Sequence, residues 1–158
     1  MPQILPIVKY GVSKILEQPS MKVIEFGFKD KNNQLDTLAE NMFATMYAAK
    51  GVGLAAPQIG IMLRVAVIDI SSGEDPNMKL VLVNPEITER RGTMTVEEGC
   101  LSVPGKKETI ERSAEVAVQY QDTKGQIYTV GGKGLLSQAL QHEIDHLDGK
   151  LFLSYVSI

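Results

Sequence analysis

Tryptophan is absent, cysteine occurs once and histidine twice in a chain of 158 residues. A lone cysteine, Cys100, makes no internal disulfide, so the fold has to be held by its core, and the thiol suits a reducing compartment or a functional thiolate. Positive charge is not in excess either: 16 Lys and Arg stand against 19 Asp and Glu, a formal net charge of -3 with a pI near 5.4. That balance leaves no basic footprint and argues against DNA as a partner. No apolar run approaches the roughly 20 residues of a spanning helix, and the amino terminus lacks the basic, apolar and cleavage regions of a signal peptide. The expectation is a cytoplasmic protein with no membrane partner. Repeats, low-complexity tracts and linkers are missing too, so one domain over 1–158 is expected, long enough to bury a core without staples.

Both histidines fall in Gln141-His142-Glu143-Ile144-Asp145-His146. The surrounding run, 134–148, carries Leu135, Leu136, Ala139, Leu140 and Leu147 at helical spacing. Histidines at i and i+4 on a helix stand one turn apart on one face, so two imidazoles can converge on one ion while Glu143 reaches water bound to it. The competing reading is a pair of polar residues on a solvated face. The flanking leucines and the confinement of both histidines to this hexapeptide favour a face turned inward.

Two ligands do not complete a catalytic site, which takes three from the protein and keeps one position open. The third candidate is Cys100, in Glu97-Glu98-Gly99-Cys100-Leu101-Ser102-Val103-Pro104-Gly105. A single cysteine is more often a small buried hydrophobe. Here Gly99, Ser102, Pro104 and Gly105 describe irregular, close-approach backbone, where a thiolate and neighbouring N–H groups can face one small ligand. Thiolate beside two imidazoles is a good set for zinc or iron(II). Glu97 and Glu98 read as a solvated charge pair, with an orienting role for one of them as the alternative.

Elsewhere the pattern predicts an extended arm over 1–12, a short helical turn before Pro19, a weak strand over 21–28 and an amphipathic helix over 34–50, capped by Asn33. That helix runs into Gly51-Val52-Gly53-Leu54-Ala55-Ala56-Pro57-Gln58-Ile59-Gly60, a stretch of small side chains with one long polar group, Gln58. It is either a plain connection with Gln58 in solvent or a substrate-binding rim in which the amide polarises a carbonyl. Strands are predicted over 63–70 and over 80–83, the latter closed by Asn84-Pro85. A hairpin turning at Gly92 is predicted over 88–96, and a second over 113–130, with Gly131-Gly132-Lys133-Gly134 as a break. A last strand is predicted over 151–156.

Three stretches, Gly51-Val52-Gly53-Leu54-Ala55-Ala56-Pro57-Gln58, Glu98-Gly99-Cys100-Leu101-Ser102 and Gln141-His142-Glu143-Ile144-Asp145-His146, in this order resemble the three signature motifs of the peptide deformylases. The resemblance covers nearly the whole chain. It implies an α+β fold, with small antiparallel or mixed β-sheets packed around a C-terminal metal-bearing HExxH helix and one further amphipathic helix. It implies that Cys100, His142 and His146 hold one divalent metal, iron(II) in the cell with zinc, nickel or cobalt as substitutes in purified protein. It further implies Glu143 as general base, and Gln58 and the Leu101 backbone N–H as donors to the formyl oxygen, with Gly53 and Gly99 flanking the substrate backbone. The implied reaction removes the N-formyl group from N-formylmethionyl peptides, nascent chains at the ribosome, and releases formate.

An apolar methionine pocket finds candidate walls in Val52, Leu135 and Ala139. Gln138 and Lys107 depart from the family pattern, which commonly has an aliphatic residue and an arginine there; a point charge replaces a planar fork at Lys107. Two competing readings run against the ligand set. A zincin-type peptidase lacks its downstream ligand, since no histidine follows His146. A structural metal module has no use for Glu143.

Overall fold

The computed structural model describes residues 2–11, 14–26 and 34–151. Within them lie two α-helices, α1 (Gln34–Ala48) and α2 (Gly134–Leu147). Seven strands accompany them: β1 (Gly53–Ala55), β2 (Val65–Ile68), β3 (Leu80–Arg91), β4 (Met94–Cys100), β5 (Val103–Arg112), β6 (Glu115–Gln121) and β7 (Ile127–Lys133). Five strands form one antiparallel sheet in the order β1-β2-β3-β6-β7, and β4 pairs with β5 in a separate two-stranded sheet. The fold is α+β, as the resemblance implied.

Alternation along β2 shows how the sheet carries a helix on each face. All four of its residues are buried. Val65 and Val67 point into a core with Leu35, Ala39, Met42, Phe43 and Met46 of α1. Ile68 points the other way, into a core with Leu82, Val116, Val118 and Ala139, Leu140 and Ile144 of α2, and Ala66 packs on Leu147. Successive side chains of a strand face opposite ways, so a strand buried on both faces reads as a continuous apolar run. This sandwich holds α2 rigidly, and the histidines with it.

The amino-terminal arm is extended and laid over the body, as expected. Its backbone N–H groups reach Thr45 Oγ1 from Leu5 at 2.9 Å, the Gln58 carbonyl from Val8 at 2.6 Å and the Ser102 carbonyl from Tyr10 at 2.8 Å. The helical turn before Pro19 is the 3-10 helix Lys14–Glu17. The strand expected over 21–28 reduces, in its described part, to a single bridge between Met21 and Leu63. Asn33 and most of the strand expected over 151–156 lie outside the described residues.

Three expectations are corrected. Asn84-Pro85 does not end β3: Asn84 takes a left-handed φ of 50°, and its amide bonds the Val23 N–H and carbonyl at 2.8 Å each and Gln121 Oε1 at 2.9 Å. The resulting bulge between Val83 and Glu86 takes a proline without wasting a ladder donor. Residues 88–96 turn at Gly92, but they form no hairpin, because β3 pairs with β6 while β4 pairs with β5. Gly131-Gly132-Lys133 belong to β7: a Cβ on Gly132 would lie 2.8 Å from Leu140 Cδ1, so its absence lets the strand sit close against α2.

Candidate metal centre and active site

His142 and His146 project from one face of α2 with their Nε2 atoms 3.2 Å apart and their ring centroids separated by 4.8 Å. Cys100 ends β4 at a two-residue turn, where the ladder jumps from Gly99↔Lys107 to Cys100↔Val103 and swings the thiol over the helix. Its Sγ lies 3.2 Å from His146 Nε2, and the three donor atoms all fall within 4.8 Å of one another. Tetrahedral coordination with nitrogen about 2.0–2.1 Å from the ion places two ligand nitrogens about 3.3 Å apart. The donor set and its spacing fit a divalent ion. Two buried atoms have no hydrogen-bond partner among the described residues, Glu143 Oε1 and His146 Nδ1.

Glu98 is not a solvated charge. It is 4% exposed, and its Oε1 meets both His142 Nδ1 and Arg112 Nη2 while Oε2 accepts from Arg112 Nε at 3.0 Å. Arg112 Nη1 donates to Asp145 Oδ2 at 2.5 Å, so one buried guanidinium ties β5 to β4 and α2 together. A carboxylate on Nδ1 fixes the tautomer and the ring angle and leaves Nε2 for an ion. Glu97, one residue earlier, stays exposed, 3.7 Å from Lys107 Nζ.

Burial, reinforced by Glu98 and Asp145 and opposed by His142 and Arg112, pushes the Glu143 carboxyl up to about 7. A carboxyl there exchanges a proton near neutral pH, as a general base must. Burial would raise Glu98 as well, but hydrogen bonds from His142 and Arg112 hold it at about 2. The imidazoles are driven apart. Burial lowers both, Cys100 and Glu98 carry His142 well above the ordinary value, and His142 adds to the lowering of His146. A divalent cation held by Cys100, His142 and His146 would compete with the His142 proton.

Gln58 sits in the 3-10 helix Ala56–Ile59 and is 1% exposed, so it does not lie in solvent. The Ala55 N–H donates to its Oε1 at 2.9 Å, which sets the amide the right way round. Nε2 then faces Ser102 Oγ at 3.2 Å and Cys100 Sγ at 3.5 Å. A second N–H reaches the thiol from Ser102 at 3.4 Å.

A cavity of about 800 Å³ opens over this constellation. Val52, Gly53, Gln58, Gly99, Cys100, Leu101, Leu135, Gln138, Ala139, His142 and Glu143 all line it, while His146 lies beneath its floor, 1% exposed. A Cβ on Gly53 would lie 2.5 Å from Glu143 Oε2, and one on Gly51 would lie 2.7 Å from Leu101 Cδ1. Both glycines therefore give way to the site. Gln138 donates to the Glu97 carbonyl at 3.1 Å and toward Glu98 Oε2 at 3.4 Å, so its amide is drawn to the β4 wall. Sequence spacing assigns no role to Arg112 or Asp145, and Ser102 figures only among the irregular backbone around Cys100. The parity of β4 and β5 was the available signal for Arg112.

The Polypeptide deformylase family model matches residues 4–157. The chain belongs to the polypeptide deformylase family. It is 50% identical over 154 residues to a peptide deformylase of Acidobacterium capsulatum, covering 98% of this chain and 87% of that one. It is 45% identical to peptide deformylase 1 of Bacillus anthracis, covering 98% and 93%. Among solved structures, a peptide deformylase from Legionella pneumophila superposes with a TM-score of 0.88 at 44% identity, covering 98% of this chain and 86% of that one. Deformylases are metal-dependent amide hydrolases that remove the N-formyl group from newly made polypeptides, and this is the activity of the chain. Among the described residues no helix is long and apolar enough to cross a membrane.

Proposed function

We propose that Cys100, His142 and His146 hold the metal of this deformylase, iron(II) in the cell, and that Glu143, Gln58 and Leu101 carry its chemistry. The observation behind this reading is the convergence of one thiol and two Nε2 atoms within 4.8 Å, beneath a cavity lined by Glu143 and Gln58. A mixed thiolate and imidazole set accepts iron(II), and zinc, nickel or cobalt in purified protein. When bound, the ion supplies Lewis acidity and activates water near neutral pH.

Every other step belongs to the chain. Glu143 takes the proton of the attacking water on a carboxylate oxygen as the water oxygen bonds the formyl carbon. Gln58 Nε2–H and the Leu101 N–H donate to the formyl oxygen as negative charge builds there, each worth about 3 kcal/mol if well aimed. Glu143 returns its proton to the amine nitrogen as the carbon–nitrogen bond breaks, leaving formate and a free N-terminus. Gly53 and Gly99, without side chains, let the peptide backbone lie close. Val52, Leu135 and Ala139 wall the methionine side chain, and Gln138 brings a polar edge to that pocket. The substrates in the cell are formylated nascent chains at the ribosome, in a bacterial-type cytoplasm.

Formate release from N-formyl-Met-Ala-Ser, with protein purified anaerobically and loaded with iron(II), tests the assignment. Turnover of the formyl peptide without cleavage of unformylated Met-Ala-Ser is expected. Cleavage of the unformylated peptide, or no formate from metal-loaded protein, contradicts it.

A further inference from the structure

The cavity mouth runs against the charge of the molecule. The chain is acidic, at a formal net charge of -3, yet Lys50, Lys106 and Lys107 all line the opening. The acids of the same wall are already engaged or sunk: Glu97 lies by Lys107, Glu98 is bound to Arg112 and His142, and Glu143 is 4% exposed at the floor. Lys50 and Lys106 have no acidic partner among the described residues. They come from two sides. Lys50 stands three positions ahead of Gly53, in the segment leading to β1. Lys106 lies on β5, its carbonyl 3.3 Å from where a Cβ on Gly99 would be. The two glycines proposed to flank the substrate backbone are therefore each accompanied by a cation with no acidic partner among the described residues, and a peptide held between those glycines would pass both.

We infer that Lys50 and Lys106 select formyl peptides that carry Asp or Glu at the second or third residue. The inference rests on the deformylase reading of the site and adds a side-chain preference to it. Two exposed ammonium groups near a downstream carboxylate favour it over a lysine at the same position by about fivefold in kcat/KM at low salt. The preference is screened as the Debye length shrinks.

The test uses amidated peptides, so that no terminal carboxylate imitates the side chain: formyl-Met-Ala-Glu-Ala and formyl-Met-Ala-Lys-Ala, the corresponding pair with Glu or Lys at the second residue, and neutral formyl-Met-Ala-Ser. The ratio of kcat/KM for Glu over Lys is measured in the metal-loaded wild type and in a Lys50→Glu, Lys106→Glu double variant, and within each protein it is independent of the active fraction. The wild-type ratio is expected at about five at an ionic strength of about 0.01 M, falling toward one at about 1 M, and below one in the variant. A ratio of one at low salt with the neutral peptide turned over, or an equal ratio in the variant, overturns this inference alone. No turnover of any formyl peptide overturns the deformylase reading and the inference with it.

Discussion

Replacing Arg112 with methionine keeps much of the apolar stem and removes the charge that two buried carboxylates share. Arg112, Glu98 and Asp145 are 5%, 4% and 7% exposed, so no bulk water stands ready to replace the guanidinium. Breaking a buried ion network by removing one partner costs about 3–5 kcal/mol, because the other charges stay buried without compensation. At about 2–4 °C per kcal/mol for a domain of this size, the melting temperature falls by about 6–20 °C. The same change loosens Glu98, which bonds His142 Nδ1, and losing such an outer partner weakens metal binding about 10–100-fold. Calorimetric melts of metal-free and metal-loaded protein separate the two effects, since the network contributes to both forms and the orientation of His142 only to the loaded one. A triple variant, Arg112→Met with Glu98→Gln and Asp145→Asn, recovers part of the metal-free stability, because no charge is left stranded. An Arg112→Met protein that melts within 2 °C of wild type and binds metal as tightly would refute the reasoning.

Gly53→Ala puts a Cβ 2.5 Å from Glu143 Oε2 and must displace the base; formate release is expected to fall at least about 100-fold with the melting temperature within a few degrees, and a tenfold loss or less would contradict the placement. Gln58→Leu removes the proposed donor and leaves the Ala55 N–H unpaired; kcat should drop about 10²–10³-fold, measured against retained metal content. Asp69 is a structural acid away from the metal ligands, where burial raises the carboxyl but bonds from Ser71 and Tyr47 and the Ser71 and Gly73 N–H groups carry it below its ordinary value. Its stabilisation is complete above the unfolded value of about 4 and is lost as pH falls through the lower folded value. Thermal melts of Asp69→Asn and wild type should therefore converge on acidification; curves that stay parallel from neutral pH to pH 3 would count against it.

Much of this was legible because it is local. The leucines of α2 and the apolar steps of α1 repeat at helical spacing, and that periodicity needs no tertiary partner. The separation of β3 from β4 was not legible, since a turn at Gly92 looks the same whether or not its two arms pair, and only their long-range partners, β6 and β5, decide which sheet each half joins. Asn84-Pro85 misled for a related reason: an asparagine anchored by Val23 and Gln121 makes a bulge that no local rule foretells. Glu98 illustrates a signal present but unused. Met94, Val96, Glu98 and Cys100 share one face of β4 and are its less exposed residues, while Thr95, Glu97 and Gly99 are exposed. Strand parity from Cys100 therefore distinguishes the inner glutamate from the outer one. Arg112 follows the same parity with Ile110 on β5. Its bond to Asp145, 33 positions away, could not be read from spacing.

The most direct test of the central claim, that three separated motifs form one hydrolytic metal site, is formate release by Glu143→Gln protein alongside wild type, each assayed in the same preparation for bound metal. One ion per chain in both, with kcat reduced about 10²–10⁴-fold in the variant, is the predicted result. Turnover within a few-fold of wild type at equal metal content would show that the proton is moved elsewhere and would contradict the account.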